Sequence, residues 1–508
     1  MLIRSIVLAA AASAACALPA SAAPVVAPSV RFDGAGAGDR TGTSVAAAGD
    51  VNGDGHGDLV IGAPGAAPNA DGTAAGAAFV VLGPFTPGTT VDLAAGGPHV
   101  IRLSGSGAEA AGRSVAGAGD VNGDGLADVI VGAPTGTPGQ EGPQSAVGRA
   151  YVVFGSRAPH DVDLAHLGAG GVVLQGASHE FPDAFGWDVA ALGDIDHDGH
   201  ADVAVAAPGN PGFEQDFTRG RAYVVFGRRE PGRIKVAHTR RAVFRIGLGT
   251  AGSVTSVAAA GDWNGDGHRD IAVLDGHAVS GRGAVYVVYG HRRDEPVRFG
   301  HLGHDGVAIE GPYLHFQLGG AELAGGRDVD GDHRPDLVIG TPAAHSSALR
   351  PPAGGVWVVR GARSRATVDL RDPGTRAWEL ARGARGSITG AAVDLARRIG
   401  GSDRPDLVTL SRRSLLVLYG TPSRGTLQLA EPLPASRGFT IDGPALEPPL
   451  PPTPLVPDTE DTAGFTTAAA AGDLGGDGRG DLLAGAAFAS HQGRTRAGAA
   501  YLFFTPGA

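Results

Sequence analysis

Asp50-Val51-Asn52-Gly53-Asp54-Gly55-His56-Gly57-Asp58, followed by Leu59-Val60-Ile61-Gly62-Ala63-Pro64, is the stretch that decides the fold. Its first nine residues put carboxylate or amide oxygens at positions 1, 3, 5 and 9 and glycine at position 6. The next six are a β-branched run that ends in a turn signal. Outward from here the unit recurs, with closing aspartates at Asp58, Asp128, Asp202, Asp270, Asp336, Asp406 and Asp481, 66 to 75 residues apart. Helical repeat arrays have periods of about 33 to 47 residues, so this period and its valine-rich runs exclude them. Each unit reads as four strands, typified by residues 185–190, 58–64, 149–155 and 100–105. Seven such units predict an all-β, seven-bladed β-propeller of four-stranded antiparallel blades. The seventh unit has three strands up to Phe504, and Val30-Arg31-Phe32-Asp33-Gly34 repeats the fourth-strand pattern at the other end. This N-terminal strand is predicted to complete the last blade and close the ring, covering an edge that would otherwise be exposed.

The 508 residues carry a net charge of −11 and include 84 glycines and 35 prolines, without a collagen period. Lys235 is the only lysine, and the arginines are scattered among a majority of carboxylates, which argues against a nucleic-acid surface. At the N-terminus Arg4 precedes an apolar stretch over residues 6–18 and Ala20-Ser21-Ala22. That is the pattern of a secretory signal peptide, 1–22, leaving a mature propeller of 23–508. Cys16, the only cysteine, lies in this segment, so the mature chain has no disulfide. No later stretch reaches about 18 uninterrupted apolar residues, so no membrane span is predicted.

The acidic loops carry the chemistry. Hard oxygen donors around a tight turn suit calcium, with the position-7 carbonyl as a further ligand. Unit one supplies Asp50, Asn52, Asp54, the carbonyl of His56 and Asp58; unit two supplies Asp120, Asn122, Asp124, the carbonyl of Leu126 and Asp128. Unit three offers Asp194, Asp196, Asp198, His200 and Asp202, and unit four Asp262, Asn264, Asp266, His268 and Asp270. Unit five keeps Asp328, Asp330, Asp332, Arg334 and Asp336, but has His333 where glycine belongs, which predicts a strained turn. Unit seven has Asp473, Asp477, Arg479 and Asp481, with Gly475 giving no side chain at position 3. Unit six places Arg398, Gly400 and Ser402 at positions 1, 3 and 5, so it has no calcium site; the loop is either an ordinary solvated surface or one where Arg398 or Arg404 replaces the ion beside Asp406. The expectation is about five Ca2+ sites in blades one to five, a weak one in blade seven and none in blade six.

A Phe-Gly first strand, an acidic loop, and Gly62-Ala63-Pro64, Gly132-Ala133-Pro134, Ala206-Ala207-Pro208 or Gly340-Thr341-Pro342 at one offset together resemble FG-GAP repeats. The array over residues 30–504 is similar to the N-terminal β-propeller of integrin α subunits. Thr41, Ala111 and Leu318 depart from the Phe-Gly pattern. The resemblance implies calcium on one face of the propeller and ligands on the other.

Other motifs weigh less. Arg479-Gly480-Asp481 spells an adhesive tripeptide but lies inside the seventh loop. Gly112-Arg113-Ser114-Val115-Ala116 lacks the last glycine of a hydrolase elbow and falls on a first strand. His301, His304 and His315 are loop histidines, and no catalytic residues are identified. The face opposite the acidic loops carries the variable segments 135–147, 209–219 and 343–353 and the proline-rich 444–461, with Phe181, Phe213, Phe217 and Tyr313 as aromatic candidates. The reading is a secreted, calcium-binding, non-catalytic binding or adhesion module for an extracellular protein or glycan. The alternatives are a carbohydrate-binding lectin and a polysaccharide-active or ester hydrolase scaffolded on the propeller.

Overall fold

A computed structural model describes residues 30–505 except 68–73, 135–147, 177–182, 210–219, 240–241, 248–252, 277, 279–281, 291–295, 312–321, 343–352, 386–388, 412–413, 421–426, 430–432 and 445–463. The segment 1–29, most of the four variable loops, and Phe181, Phe213, Phe217, Tyr313 and His315 therefore lie outside the described residues.

Seven small, mainly antiparallel sheets form seven blades of a β-propeller. Their innermost strands, Val45–Gly49, Val115–Gly119, Asp188–Gly193, Val254–Gly261, Leu323–Arg327, Val393–Ala396 and Thr467–Gly472, touch one another in cyclic order, the last against the first. The second strands are buried along their whole length, as Asp58–Ala63 and Asp128–Ala133 illustrate. Side chains alternate across a strand, and here both faces meet protein. Val60, Ala78 and Val80 pack toward blade two, while Leu59, Ile61, Phe79 and Val81 pack toward blade seven. The core is thus seven apolar layers between blades, and each fully buried Val, Leu, Ile or Phe contributes about 1.5–3 kcal/mol. This is why continuous apolar runs, rather than alternating ones, mark the second and third strands.

The N-terminal strand Val30–Asp33 pairs antiparallel with the last strand, Ala499–Phe503. The Gly34 amide donates to the Gly498 carbonyl (3.0 Å), and Arg494 bonds both the Gly34 carbonyl and the Asp92 carboxylate.

Each blade has the expected four antiparallel strands, and the structure adds to them. Five sheets carry a fifth, outermost strand that runs parallel to the fourth and is drawn from the following unit. Thr89–Asp92 lies on Val30–Asp33, Val162–Asp163 on Val100–Ser104, Gly232–Lys235 on Gly171–Gln175, Val368–Asp369 on Gly306–Glu310, and Leu427–Gln428 on Ala377–Arg385. In blade three the same place is taken by a single bridge between Ile246 and Val297. These straps tie those blades to their successors and cover the outer sheet edge.

Candidate metal centres and the surfaces around them

Each acidic loop joins the end of a first strand to the start of a second. In six blades the first strand slips register just before the loop, as between Ala47 and Gly49 or between Ala191 and Gly193. Such a bulge bends the strand and re-aims the next side chain, here the position-1 aspartate. Asp50 Oδ1 accepts the amides of Gly53 (2.7 Å) and Asp54 (3.1 Å), and its Oδ2 accepts that of Gly55 (2.9 Å). Asp120, Asp194, Asp262, Asp328 and Asp473 repeat the bond from position 6 at 2.7–3.0 Å. Position 6 takes a left-handed turn, with φ near +88° at Gly55 and Gly125. His333 adopts the same turn at φ +67°, as the sequence predicts, and its amide reaches Asp328 like a glycine's.

The closing aspartate has a separate job. Asp58 is fully buried; one oxygen accepts the Val51 amide (2.8 Å) and the other the Gly83 amide at the end of the third strand (2.9 Å). Asp128, Asp202, Asp270, Asp336 and Asp481 join loop to third strand in the same way, the last through Thr505. Burial, with the neighbouring loop carboxylates adding to it, raises the Asp58 carboxyl to about 6 and those of Asp128, Asp202, Asp270 and Asp336 to about 7. Asp54 moves the other way, held below the usual carboxylate range by the Asn52 side-chain amide.

The donor set fits a hard cation. Asp194, Asp196 and Asp202 bring oxygens within 4.8 Å of one another, as do Asp328, Asp330 and Asp332. In blade four Asn264 Oδ1 is buried with no hydrogen-bond partner, while its amide nitrogen donates to Asp266 (2.8 Å). An inward-facing oxygen of this kind suits a metal ligand. Asn52 and Asn122 use the same oxygen to accept the Asp54 and Asp124 amides. The position-7 amides of His56, Leu126, His200, His268, Arg334 and Arg479 all bond the position-5 carboxylate. In blade five the position-3 carboxylate, Asp330, already pairs with Arg360 from the end of the third strand.

Blade six differs as its sequence requires. Its first strand has no bulge, and Asp406 still accepts two amides, from Gly400 (2.8 Å) and Gly420 (2.6 Å). Arg398 pairs with Asp403 at 3.3 Å, and the side chain of Arg404 packs on Gly331 of blade five. The guanidinium that reaches this loop is instead that of Arg479, which donates to the Ile399 carbonyl (3.3 Å) from blade seven. The sequence reading missed this because it counted position 7 only as a carbonyl. Side chains there lean on the preceding loop: Leu126 on Gly53, His200 on Gly123, and the His268 ring on that of His197 at 5.1 Å. Adjacent loops are also bonded through backbone, Ala127 to the Asp50 carbonyl (3.0 Å) and Ala201 to that of Asp120 (2.9 Å).

The Arg479-Gly480-Asp481 tripeptide is built into this seam, with Gly480 donating to Arg397 (2.7 Å) and Asp481 only 1% exposed. Ser114 is likewise structural: its hydroxyl donates to Asp188 (2.9 Å) and accepts the Val189 amide (3.1 Å). Equivalent staples run from blade to blade around the axis. The Val115 amide bonds Ser44, that of Val257 bonds Asp188, and that of Val393 bonds Glu322. Burial, then Asp188, with Asp394 also nearby, pushes the Glu322 carboxyl up to about 8.

On the face opposite the loops, Arg113 lies 4.2 Å above the Trp187 ring and Arg40 6.0 Å from that of Phe488. Trp and Arg are residue types that carry binding energy at interfaces, and the sequence reading passed over these pairs. Between blades one and two a cleft of about 820 Å3 opens beside the second loop. Ile101, Leu103 and Val153 form its apolar wall, and Asp124, His160 and His166 its polar one.

An FG-GAP repeat family model matches residues 41–81, 111–153, 185–225, 319–359 and 465–503, which are first-to-third-strand segments. Human phosphatidylinositol-glycan-specific phospholipase D is 32% identical over 174 residues, 32% of this chain and 19% of that protein. Mouse integrin alpha-7 is 30% identical over 184 residues, 35% of this chain and 14% of the relative. Human integrin alpha-IIb is 35% identical over 156 residues, 30% and 14% respectively. The matched part therefore spans less than a fifth of each relative's length.

Proposed function

We propose, from the premise that the chain is an FG-GAP repeat protein with homology to integrin alpha subunits, that it is a secreted binding module whose blades are held by calcium. Residues 23–508 are the mature propeller in this reading, and 1–22 its export signal. The observation that supports the calcium half is the buried Asn264 Oδ1 of blade four, left without a hydrogen-bond partner in the loop that carries Asp262, Asp266 and Asp270. Calcium there would supply charge neutralisation, drawing together carboxylates that repel one another, and the protein's own residues would do the positioning. The same logic extends to the loops of blades one, two, three and five, with blade seven weaker for want of a position-3 donor. Partners, extracellular proteins or glycans, meet the face of Arg113 and Trp187.

The test counts bound calcium in the mature chain and records thermal unfolding with calcium and with chelator. Four to six ions and a large fall in Tm on chelation are expected; fewer than about two ions with unchanged melting overturns the reading.

The cleft between blades one and two favours a second reading, a lectin, because an apolar wall facing polar side chains suits a saccharide ring. Saturable glycan binding that is lost in His160→Ala supports it; glycan binding unchanged in that variant sinks it.

A further inference from the structure

We propose that the outer edge of blade six, strand Gly438–Ile441, is an acceptor for an extended segment of a partner protein, laid parallel to it and carrying an aliphatic–polar–aliphatic triplet. This goes beyond the calcium reading and does not depend on it. The argument starts from what covers the other six edges. In five blades a parallel strap does so and in blade three a bridge does, whereas among the described residues the only strand bonded to Gly438–Ile441 is Ser414–Leu418, on its inner side.

The straps share a sequence: Val91-Asp92-Leu93, Val162-Asp163-Leu164 and Val368-Asp369-Leu370, with Ile234-Lys235-Val236 as a variant. The last residue is an anchor buried between blades, at 0–3% exposure for Leu93, Leu164, Val236 and Leu370. Its amide donates to the fourth strand: Leu93 to Asp33 (3.0 Å), Val236 to Gln175 (3.0 Å), Leu370 to Glu310 (3.1 Å) and Leu429 to Arg382 (3.0 Å). Asp442 holds the corresponding carbonyl in blade six. The bond from the Tyr419 amide to the Arg437 carbonyl fixes the alternation along this ladder, so the Thr440 N–H and C=O point away from the third strand. Thr440 is exposed, and Phe439 and Phe503 line the adjacent apolar junction. Backbone groups that have no strand partner among the described residues, beside an apolar slot, meet the requirement for strand addition.

The chain's own leader is a poor occupant. Straps begin nine to eleven residues before the next fourth strand, as Val162 does before Gly171 and Thr89 before Val100. Counted back from Val30, that offset falls on Pro19-Ala20-Ser21-Ala22-Ala23-Pro24, which has no such triplet and whose prolines lack an amide for the ladder.

The experiment titrates a labelled Thr-Thr-Val-Asp-Leu peptide, a copy of residues 89–93, into the mature chain, and follows amide exchange at Thr440. Saturable binding of one peptide per chain is expected, weakened about tenfold or more by Thr440→Pro and by a peptide ending in Asp instead of Leu. The Thr440 amide should exchange fast in the free protein and slowly with peptide, while that of Val173, its strapped counterpart, is protected throughout. The exchange readout needs no variant, so it stands even if Thr440→Pro fails to fold. No saturable binding, equal binding to Thr440→Pro, or a Thr440 amide protected without peptide overturns the proposal. Binding that appears only after deletion of residues 23–29 or 445–461 also overturns it, by showing that the chain covers its own edge.

Discussion

Blades four and six fold their first-to-second-strand loops around the same closing aspartate, yet only blade four carries acidic or amide side chains at positions 1, 3 and 5. Asp270 accepts the amides of Asn264 (3.1 Å) and Gly290 (2.9 Å); Asp406 accepts those of Gly400 (2.8 Å) and Gly420 (2.6 Å). What blade six lacks is the bulge before the loop and the acids at positions 1, 3 and 5. The comparison separates two tasks that one motif conceals. Position 9 is architectural and survives in every blade, while positions 1, 3 and 5, where the proposed cation chemistry would lie, can be lost without unfolding the loop.

The largest expected effect tests whether the acidic loops bind calcium at all. A site kept at 100 times its dissociation constant stabilises the fold by about 2.7 kcal/mol, so emptying several sites should cost more than any single substitution. Urea denaturation in calcium and in chelator measures the difference. The comparison breaks if the two curves superimpose.

Next in size is the closing aspartate itself. Asp270→Ala and Asp406→Ala each strand two backbone amides, a loss of about 2–5 kcal/mol. In chelator the two variants should be destabilised alike, and in calcium Asp270→Ala should lose more, since it alone also loses a ligand. Asp262→Ala is the converse. Its expected cost, about 2.7 kcal/mol at saturating calcium, should shrink to a small residue in chelator. A full penalty in chelator would mean that position 1 is a turn-capping residue and nothing more.

A pH-dependent effect follows the axial staples, where blades five and six also part. Glu322 sits where blade six has Ala392, and in blade six Asp394 accepts the Ala470 amide instead (2.8 Å). The Glu322 carboxyl rises from 4.5 to about 8, through burial first and then the charges of Asp188 and Asp394. The folded state therefore holds this proton while the unfolded state releases it. Wild-type stability falls as pH rises across that window and is flat above it. Glu322→Gln removes the slope, so the variant should gain on wild type progressively from about pH 4.5 to 8 and then no further. Denaturation at pH 5, 7 and 9 checks this, and a difference independent of pH refutes it.

Most of this architecture is legible in the sequence because its signals are local. Nine-residue loops, valine runs and the fourth-strand pattern at Val30–Asp33 can be read without knowing what they touch. The straps were missed for the opposite reason. Val162–Asp163 is two residues long, its hydrogen bonds go to another blade, and only the recurrence of Val-Asp-Leu at one offset betrays it. The side-chain role of position 7 is hidden in the same way, because the Leu126 and Arg479 side chains act on the preceding loop rather than on their own. Asn264 Oδ1 shows a further limit. Its residue type was predicted as a ligand, but Asn52 and Asn122 read identically and spend that oxygen on a backbone amide.

The smallest effect sharpens the comparison inside the acidic loops. His333 holds a left-handed turn at φ +67° that glycine occupies in blades one to four and seven, and such a conformation costs a residue with a β-carbon about 1–2 kcal/mol. His333→Gly releases that strain but adds freedom to the unfolded chain worth about 0.4–1 kcal/mol, so the net gain should lie between about 0 and 1.6 kcal/mol. The gain should appear equally in chelator, because the strain lies in the backbone and not in the ligands. Calcium affinity in this loop should stay lower than in blade four even after the substitution, since Asp330 remains engaged by Arg360. Only Arg360→Ala should raise it, and an affinity rise in His333→Gly alone would show that the turn, rather than the competing guanidinium, limits the site.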